Sequence, residues 1–189
     1  MKNIIAIAIL LFLFNCGNKP GPDLTGDATR KVIKETPEWA EKVPQVEGYI
    51  YTVASKTSRD YQTSITKSDL EARKSLGVTI RSEIKGITNS VIEETGYGDE
   101  SEYIENFRNE AELAVLEMLE LARVTEQKTV EENNIFRSWV LLEFDQGIQH
   151  KMVLAKLKQD KVLAEKLRAS ELLEEMEEKV EAYRKRRDK

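Results

Sequence analysis

The chain contains a single cysteine, Cys16, so it cannot form an internal disulfide. Its domain must therefore be held together by side-chain packing alone. The length of 189 residues suits one domain with extensions. Charged residues make up 33% of the chain, with a formal net charge of -5. This acidic excess argues against a general nucleic-acid role, because such proteins carry a basic patch or stripe.

The N-terminal segment has the layout of an export signal. Lys2 is followed by an apolar run over residues 4–14 and then by Asn15-Cys16. The run falls in the range of about 7–15 residues that is typical of a secretory signal peptide, and below the roughly 20 that a membrane-spanning helix needs. A cysteine directly after such a run resembles a bacterial lipoprotein signal. That resemblance implies cleavage between Asn15 and Cys16 and acyl chains on Cys16; the alternative is a plain secretory signal cleaved further along.

Residues 1–15 form the predicted signal peptide. Residues 16–36 are rich in glycine, proline, aspartate and threonine, which predicts a flexible tether between the signal peptide and the domain. The position after Cys16 lacks the aspartate that often retains lipoproteins in the inner membrane. By analogy, we expect an outer-membrane location, with the domain in the periplasm or exposed at the surface. The folded domain is expected to begin at Pro37-Glu38-Trp39, with Trp39 anchoring its first segment.

The sequence of the first half of the domain predicts one strand and two helices. Aromatic and β-branched residues at 49–53 indicate a strand, and the polar residues 55–64 a loop. From about Thr66, apolar residues three or four apart indicate a helix, although the composition of residues 78–87 is compatible with either a helix or a strand. A break at residues 95–99 precedes a second helix, with Asp99 or Ser101 as its N-cap.

A hairpin follows, with Asn133-Asn134 as its turn. Residues 135–144 carry apolar side chains on both faces, which indicates a central strand. The sequence thus predicts an α+β fold over residues 37–145: a small antiparallel sheet with two packed helices.

Strong helix formers dominate residues 146–189, which predicts one long, charged C-terminal helix of about 60 Å at 1.5 Å per residue. Such a helix is too long for a small domain to cover, so a coiled coil or a solvated rod is expected. We expect it to bind a second copy of the chain or an envelope protein partner. The basic end, residues 183–189, either complements the helix dipole or contacts an anion. The candidate partner seam consists of Ala169, Leu173, Met176, Val180 and Tyr183.

Four segments resemble the Lpp-twenty lipoprotein family: the Pro37-Glu38-Trp39 entry, the aromatic strand at 48–54, the helix start at 69–76 and residues 139–144. The resemblance covers residues 37–145 and implies an α+β domain in a small outer-membrane lipoprotein, with flagellar outer-membrane assembly proteins among the relatives. It implies no catalysis, and Cys16 is the one functional residue that it carries over. Relatives often have a glycine at the end of the first strand, where this chain has Ala54-Ser55.

The sequence offers no catalytic or metal-binding constellation. His150 is the only histidine, and a Ser/His/Asp triad would need Asp145 or Asp160 beside it, without a Gly-x-Ser-x-Gly elbow in the sequence. We therefore expect no enzyme, no metal and no cofactor. The first hypothesis is a non-catalytic envelope lipoprotein with a structural or assembly role. The alternative is a lipoprotein module that holds a small apolar or envelope-derived ligand between the sheet and the two central helices.

Overall fold

The computed structural model describes residues 34–187. The predicted signal peptide, Cys16 and residues 16–33 of the predicted tether lie outside this range. The first half contains four elements: α1 (Glu38–Glu41), β1 (Tyr49–Ser58), α2 (Tyr61–Thr95) and α3 (Glu102–Leu121). The second half contains five: β2 (Arg123–Glu132), β3 (Ile135–Asp145), α4 (Gln146–Gln159), α5 (Lys161–Lys166) and α6 (Glu171–Arg187). The α+β prediction is confirmed.

The three strands form one antiparallel sheet in the order β1-β3-β2, so β3 is the central strand, as its two apolar faces predicted. Asn133 and Asn134 form the two-residue turn with φ of 51° and 60°. Both values are positive, as a type I′ hairpin turn requires. The expected loop at residues 55–64 is wrong at both ends, because β1 continues to Ser58 in register with Phe136 and α2 begins at Tyr61. Ladder hydrogen bonds to β3 outweigh the polar composition there.

Helix α2 is continuous over 35 residues, and this answers the helix-or-strand question at residues 78–87. It begins at its N-cap Asp60, whose side chain accepts the Thr63 N–H at 2.7 Å, and it ends at Gly96, which has φ of +71°. Ile80 is fully buried, whereas Val78 is 62% exposed. Helical spacing thus separates these two β-branched residues onto a core face and a solvent face, so packing overrides their strand preference.

The face of the sheet that carries Ser138, Val140 and Leu142 packs against α2. Ser64 and Ser138 share a hydrogen bond between their hydroxyls at 2.6 Å, and Ala72 packs on Val140 and Leu142. Small side chains on α2 therefore let the helix approach the strands closely. Helix α3 buries an apolar stripe in the main core, whereas Leu121, at the end of the helix, is exposed. The buried members are Ile104, Phe107, Ala111, Ala114 and Met118.

The C-terminal segment is helical, but the prediction of one 60 Å helix is wrong. Asp160 ends α4 and caps α5 by accepting the N–H groups of Val162 and Leu163, and the Ser170 hydroxyl accepts the Leu173 N–H ahead of α6. These two breaks turn the chain back, so that α6 packs against α4. Both cap residues are among the preferred N-cap types.

Helices α4 and α6 pack very closely at Gly147. An added Cβ there would lie 2.1 Å from the Tyr183 Cβ, an atom fixed to the α6 backbone. We predict that Gly147→Ala pushes the two helices apart and lowers the free energy of unfolding by about 1–3 kcal/mol, which urea denaturation measures. Gly98→Ala is the control, because nothing lies within 4 Å of its added Cβ. Equal stability of the two variants would contradict this account of the α4–α6 contact.

Candidate functional site: a groove between α2, α4 and α6

A groove of about 900 Å³ lies between α2, α4 and α6. Helix α4 starts directly after β3, and the Asp145 side chain caps it by accepting the Gly147 N–H at 2.8 Å. This cap fixes the first turn of α4 against the other two helices. The polar side chains that line the groove include Glu83, Ser90, Gln149, His150, Glu175 and Lys179, and the apolar ones Ile87, Leu172 and Met176.

Gln149 is the unusual residue of this lining. Its side chain is fully buried, and neither its amide nitrogen nor its amide oxygen has a hydrogen-bond partner. A buried polar group left without a partner costs about 1–3 kcal/mol. Gln149 could not be predicted from the sequence, because a glutamine within a helix carries no local signal of burial.

His150 lies beside Gln149 and is held by its own helix. Its Nδ1 is 2.8 Å from the Gln146 carbonyl oxygen, so in the neutral ring Nδ1 carries the proton and Nε2 is the acceptor. Burial is the main cause that lowers the pKa of His150 below its ordinary value, and the charge of Lys179 adds to it. The Gln146 hydrogen bond and the charges of Glu83 and Glu175 oppose this shift. The ring is therefore neutral at pH 7.

Arg186 closes the end of the groove nearest the sheet. Its guanidinium donates to the Asp145 carboxylate at 2.7 Å and lies 5.5 Å from the centre of the Tyr49 ring. Gly48 makes room for it, since an added Cβ would lie 2.9 Å from the guanidinium, and its φ of +81° also favours glycine. The hydrogen bond to Asp145 is the largest cause that raises the pKa of Arg186. We call this set of contacts the Arg186 latch.

The predicted partner seam is largely covered from within the chain. Met176 and Val180 are only 2% and 4% exposed in the main core, and Leu173 packs against that core. Tyr183 lies against Gly147, whereas Ala169 is exposed in the turn before α6. The reason for expecting a partner there, an apolar stripe left uncovered by the domain, therefore does not hold.

The residues considered for catalysis are occupied elsewhere. Nδ1 of His150 faces the Gln146 carbonyl, Asp145 caps α4 and binds Arg186, and Asp160 caps α5. Among residues 34–187, no three His, Cys, Asp or Glu side chains lie close enough together to hold a metal ion. Within that same range, no helix combines the length and apolarity needed to cross a bilayer.

The sequence places the ligand of the alternative hypothesis between the sheet and the two central helices. The space between the sheet and the two central helices is filled by fully buried side chains, namely Leu76, Ile80, Met118 and Phe144. The groove lies instead beside this layer, where α6 returns along α2 and α4.

No protein-family model matches this chain, and no curated protein or solved structure is detectably similar to it. The resemblance to the Lpp-twenty lipoprotein family therefore stays a prediction from the residues that carry it. The groove and its side chains have to be interpreted from their own geometry.

The Arg186 latch should stabilise the domain measurably. We predict that Arg186→Met lowers the free energy of unfolding by about 1 kcal/mol, because it leaves the mostly buried Asp145 carboxylate without its cation. The matched control is Arg184→Met on the same helix, whose ion pair with Glu181 is exposed and should contribute almost nothing. Urea denaturation of both variants checks this, and similar losses in the two would contradict the latch.

We predict that the partly buried His150 makes the free energy of unfolding fall in acid. Because burial lowers its pKa in the folded state, the unfolded chain binds the proton more readily than the folded one. Above its unfolded pKa of about 6.5 both states are neutral, and below that value stability falls as the pH falls. We expect His150→Gln to flatten the pH dependence of the urea midpoint between about pH 7 and pH 5. An unchanged slope in this variant would assign the effect to other groups.

Proposed function

We propose that this protein is a lipid-anchored bacterial envelope protein with a non-catalytic structural or assembly role, acting through protein–protein contacts. The single observation that carries the proposal is Cys16 directly behind a short apolar run near the N-terminus. In this proposal acyl chains on Cys16 hold the protein at the outer membrane. About 0.8 kcal/mol is gained per buried methylene, and two chains give stable attachment.

The charged residues of the described domain support this proposal. The carboxylate pairs that a glycosidase would place across a cleft lie mostly on exposed helix surface, as at Glu93-Glu94 and Glu177-Glu178. Charged residues instead link helices to one another, as in the Arg81–Glu112 and Lys156–Glu110 pairs.

A second candidate function is a ligand-binding module on the same anchor. One observation favours it: the groove is lined by the buried Gln149 carboxamide, which has no partner within the protein. Packing alone does not account for such a group, whereas a bound polar molecule would supply its hydrogen bonds.

The anchor is tested by the intact mass of the protein purified from bacterial membranes. We expect a chain that starts at Cys16 and carries added acyl mass, and we expect Cys16→Ala to lose both the acyl mass and membrane retention. Asn15→Gly is the control, because it places a small residue before the cysteine, as lipoprotein signals usually have, and should still be acylated. An unacylated chain cleaved at another position would refute the anchor.

A further inference from the structure

We propose that the groove between α2, α4 and α6 binds a short peptide, recognised through its backbone amides and its charges of both signs. This inference rests on the ligand-binding function that is the second candidate above. Gln149, Gly86 and the charged ends of the groove each support a different part of it.

The Gln149 carboxamide specifies the hydrogen-bonding chemistry. It presents an NH₂ donor and a carbonyl acceptor side by side, and both are buried without a partner in the protein. A peptide amide offers the complementary pair, an acceptor carbonyl and a donor N–H. A ligand with only one of these two functions would leave half of the Gln149 side chain unsatisfied.

Gly86 keeps the groove open on the α2 side. A glycine in the interior of a helix costs about 1 kcal/mol relative to alanine. Nothing lies within 4 Å of a Cβ added at Gly86, so no neighbouring atom of the protein requires a glycine there. Its position in the groove lining supplies a reason, since any side chain would project into the space that a ligand needs.

The charges along the groove suit a ligand that is itself zwitterionic. Glu47 and Lys185 line the groove, and neither has an ion-pair partner among residues 34–187. Farther along α6, Glu175 and Lys179 form a pair with both side chains about half exposed. Both signs are thus available to the terminal carboxylate and ammonium of a peptide.

The dimensions of the groove set the length of the peptide. Lining residues on α6 run from Leu172 to Arg186, which corresponds to about 21 Å at 1.5 Å per residue. An extended chain spans about 3.4 Å per residue, so the groove accommodates up to roughly six residues. Its volume of about 900 Å³ lies within the usual range for ligand pockets, about 300–1,000 Å³. Ile87 and Leu172 provide apolar contacts for side chains of the peptide.

Trialanine is the probe, tested on the full chain in detergent solution by saturation-transfer NMR. We expect a saturable methyl signal with a dissociation constant in the millimolar range, as befits a small ligand. Acetamide, an amide without charge, and acetate, a charge without an amide, should bind at least tenfold more weakly. Binding of either fragment as tightly as trialanine would overturn the peptide assignment, as would the absence of saturable trialanine binding.

Two substitutions locate the binding in the groove. Gly86→Leu fills the groove and should weaken trialanine binding at least tenfold, whereas Ser82→Leu adds the same side chain to exposed α2 surface outside the groove and should leave binding unchanged. Gln149→Leu should abolish binding and yet raise the melting temperature, because it removes a buried unpartnered amide. Equal effects of Gly86→Leu and Ser82→Leu, or full binding by Gln149→Leu, would overturn the proposal.

The experiments test the lipid anchor and the peptide site independently of each other. An acylated Cys16 with no trialanine binding leaves the envelope anchor standing and overturns the peptide site. Trialanine binding by a chain that carries no acyl group supports the peptide site and refutes the anchor.

Discussion

The Asp145 carboxylate joins the sheet to both of the long C-terminal helices. It stands at the end of the central strand, caps α4 through the Gly147 N–H and binds Arg186 of α6. The cap fixes the direction in which α4 leaves the sheet, and the ion pair fixes the end of α6 against the same point. The groove exists because these two helices are held at this distance, and Gly147 allows the close contact with Tyr183. One residue thus sets the geometry of the candidate site.

The sequence predicted those parts of the fold that depend on neighbouring residues. The Asn133-Asn134 turn, the two-faced strand after it and the break at Gly96 are local signals, and the structure bears them out. The prediction of one continuous C-terminal helix was wrong because helix propensity alone cannot show where a helix ends and the chain turns back. Asp160 and Ser170 marked the breaks as N-cap residues, but such residues also occur on the surfaces of continuous helices. The Arg186–Asp145 contact, which joins residues 41 apart, leaves no local pattern.

The candidate site was less predictable than the fold, for the same physical reason. Gln149 is notable only because helices packed against α4 exclude water from it, and burial of this kind is a property of the assembled structure. The other fully buried polar side chains of residues 34–187 have partners, as in the Ser64–Ser138 hydroxyl contact and the Ser68 bond to the Ser138 carbonyl. Single buried atoms of the partly exposed Ser55, Asp69, Glu132 and Arg137 also lack a hydrogen-bond partner, but Gln149 is the fully buried residue in which both polar atoms do.

A ligand in the groove would also stabilise the folded domain. Any molecule that binds the folded chain but not the unfolded one adds RT ln(1 + [L]/Kd) to its stability, about 1.4 kcal/mol at ten times Kd. Protonation of His150 acts in the opposite direction, because its ring is partly buried in the same lining. Ligand binding and His150 protonation therefore shift the folding equilibrium of the domain in opposite directions.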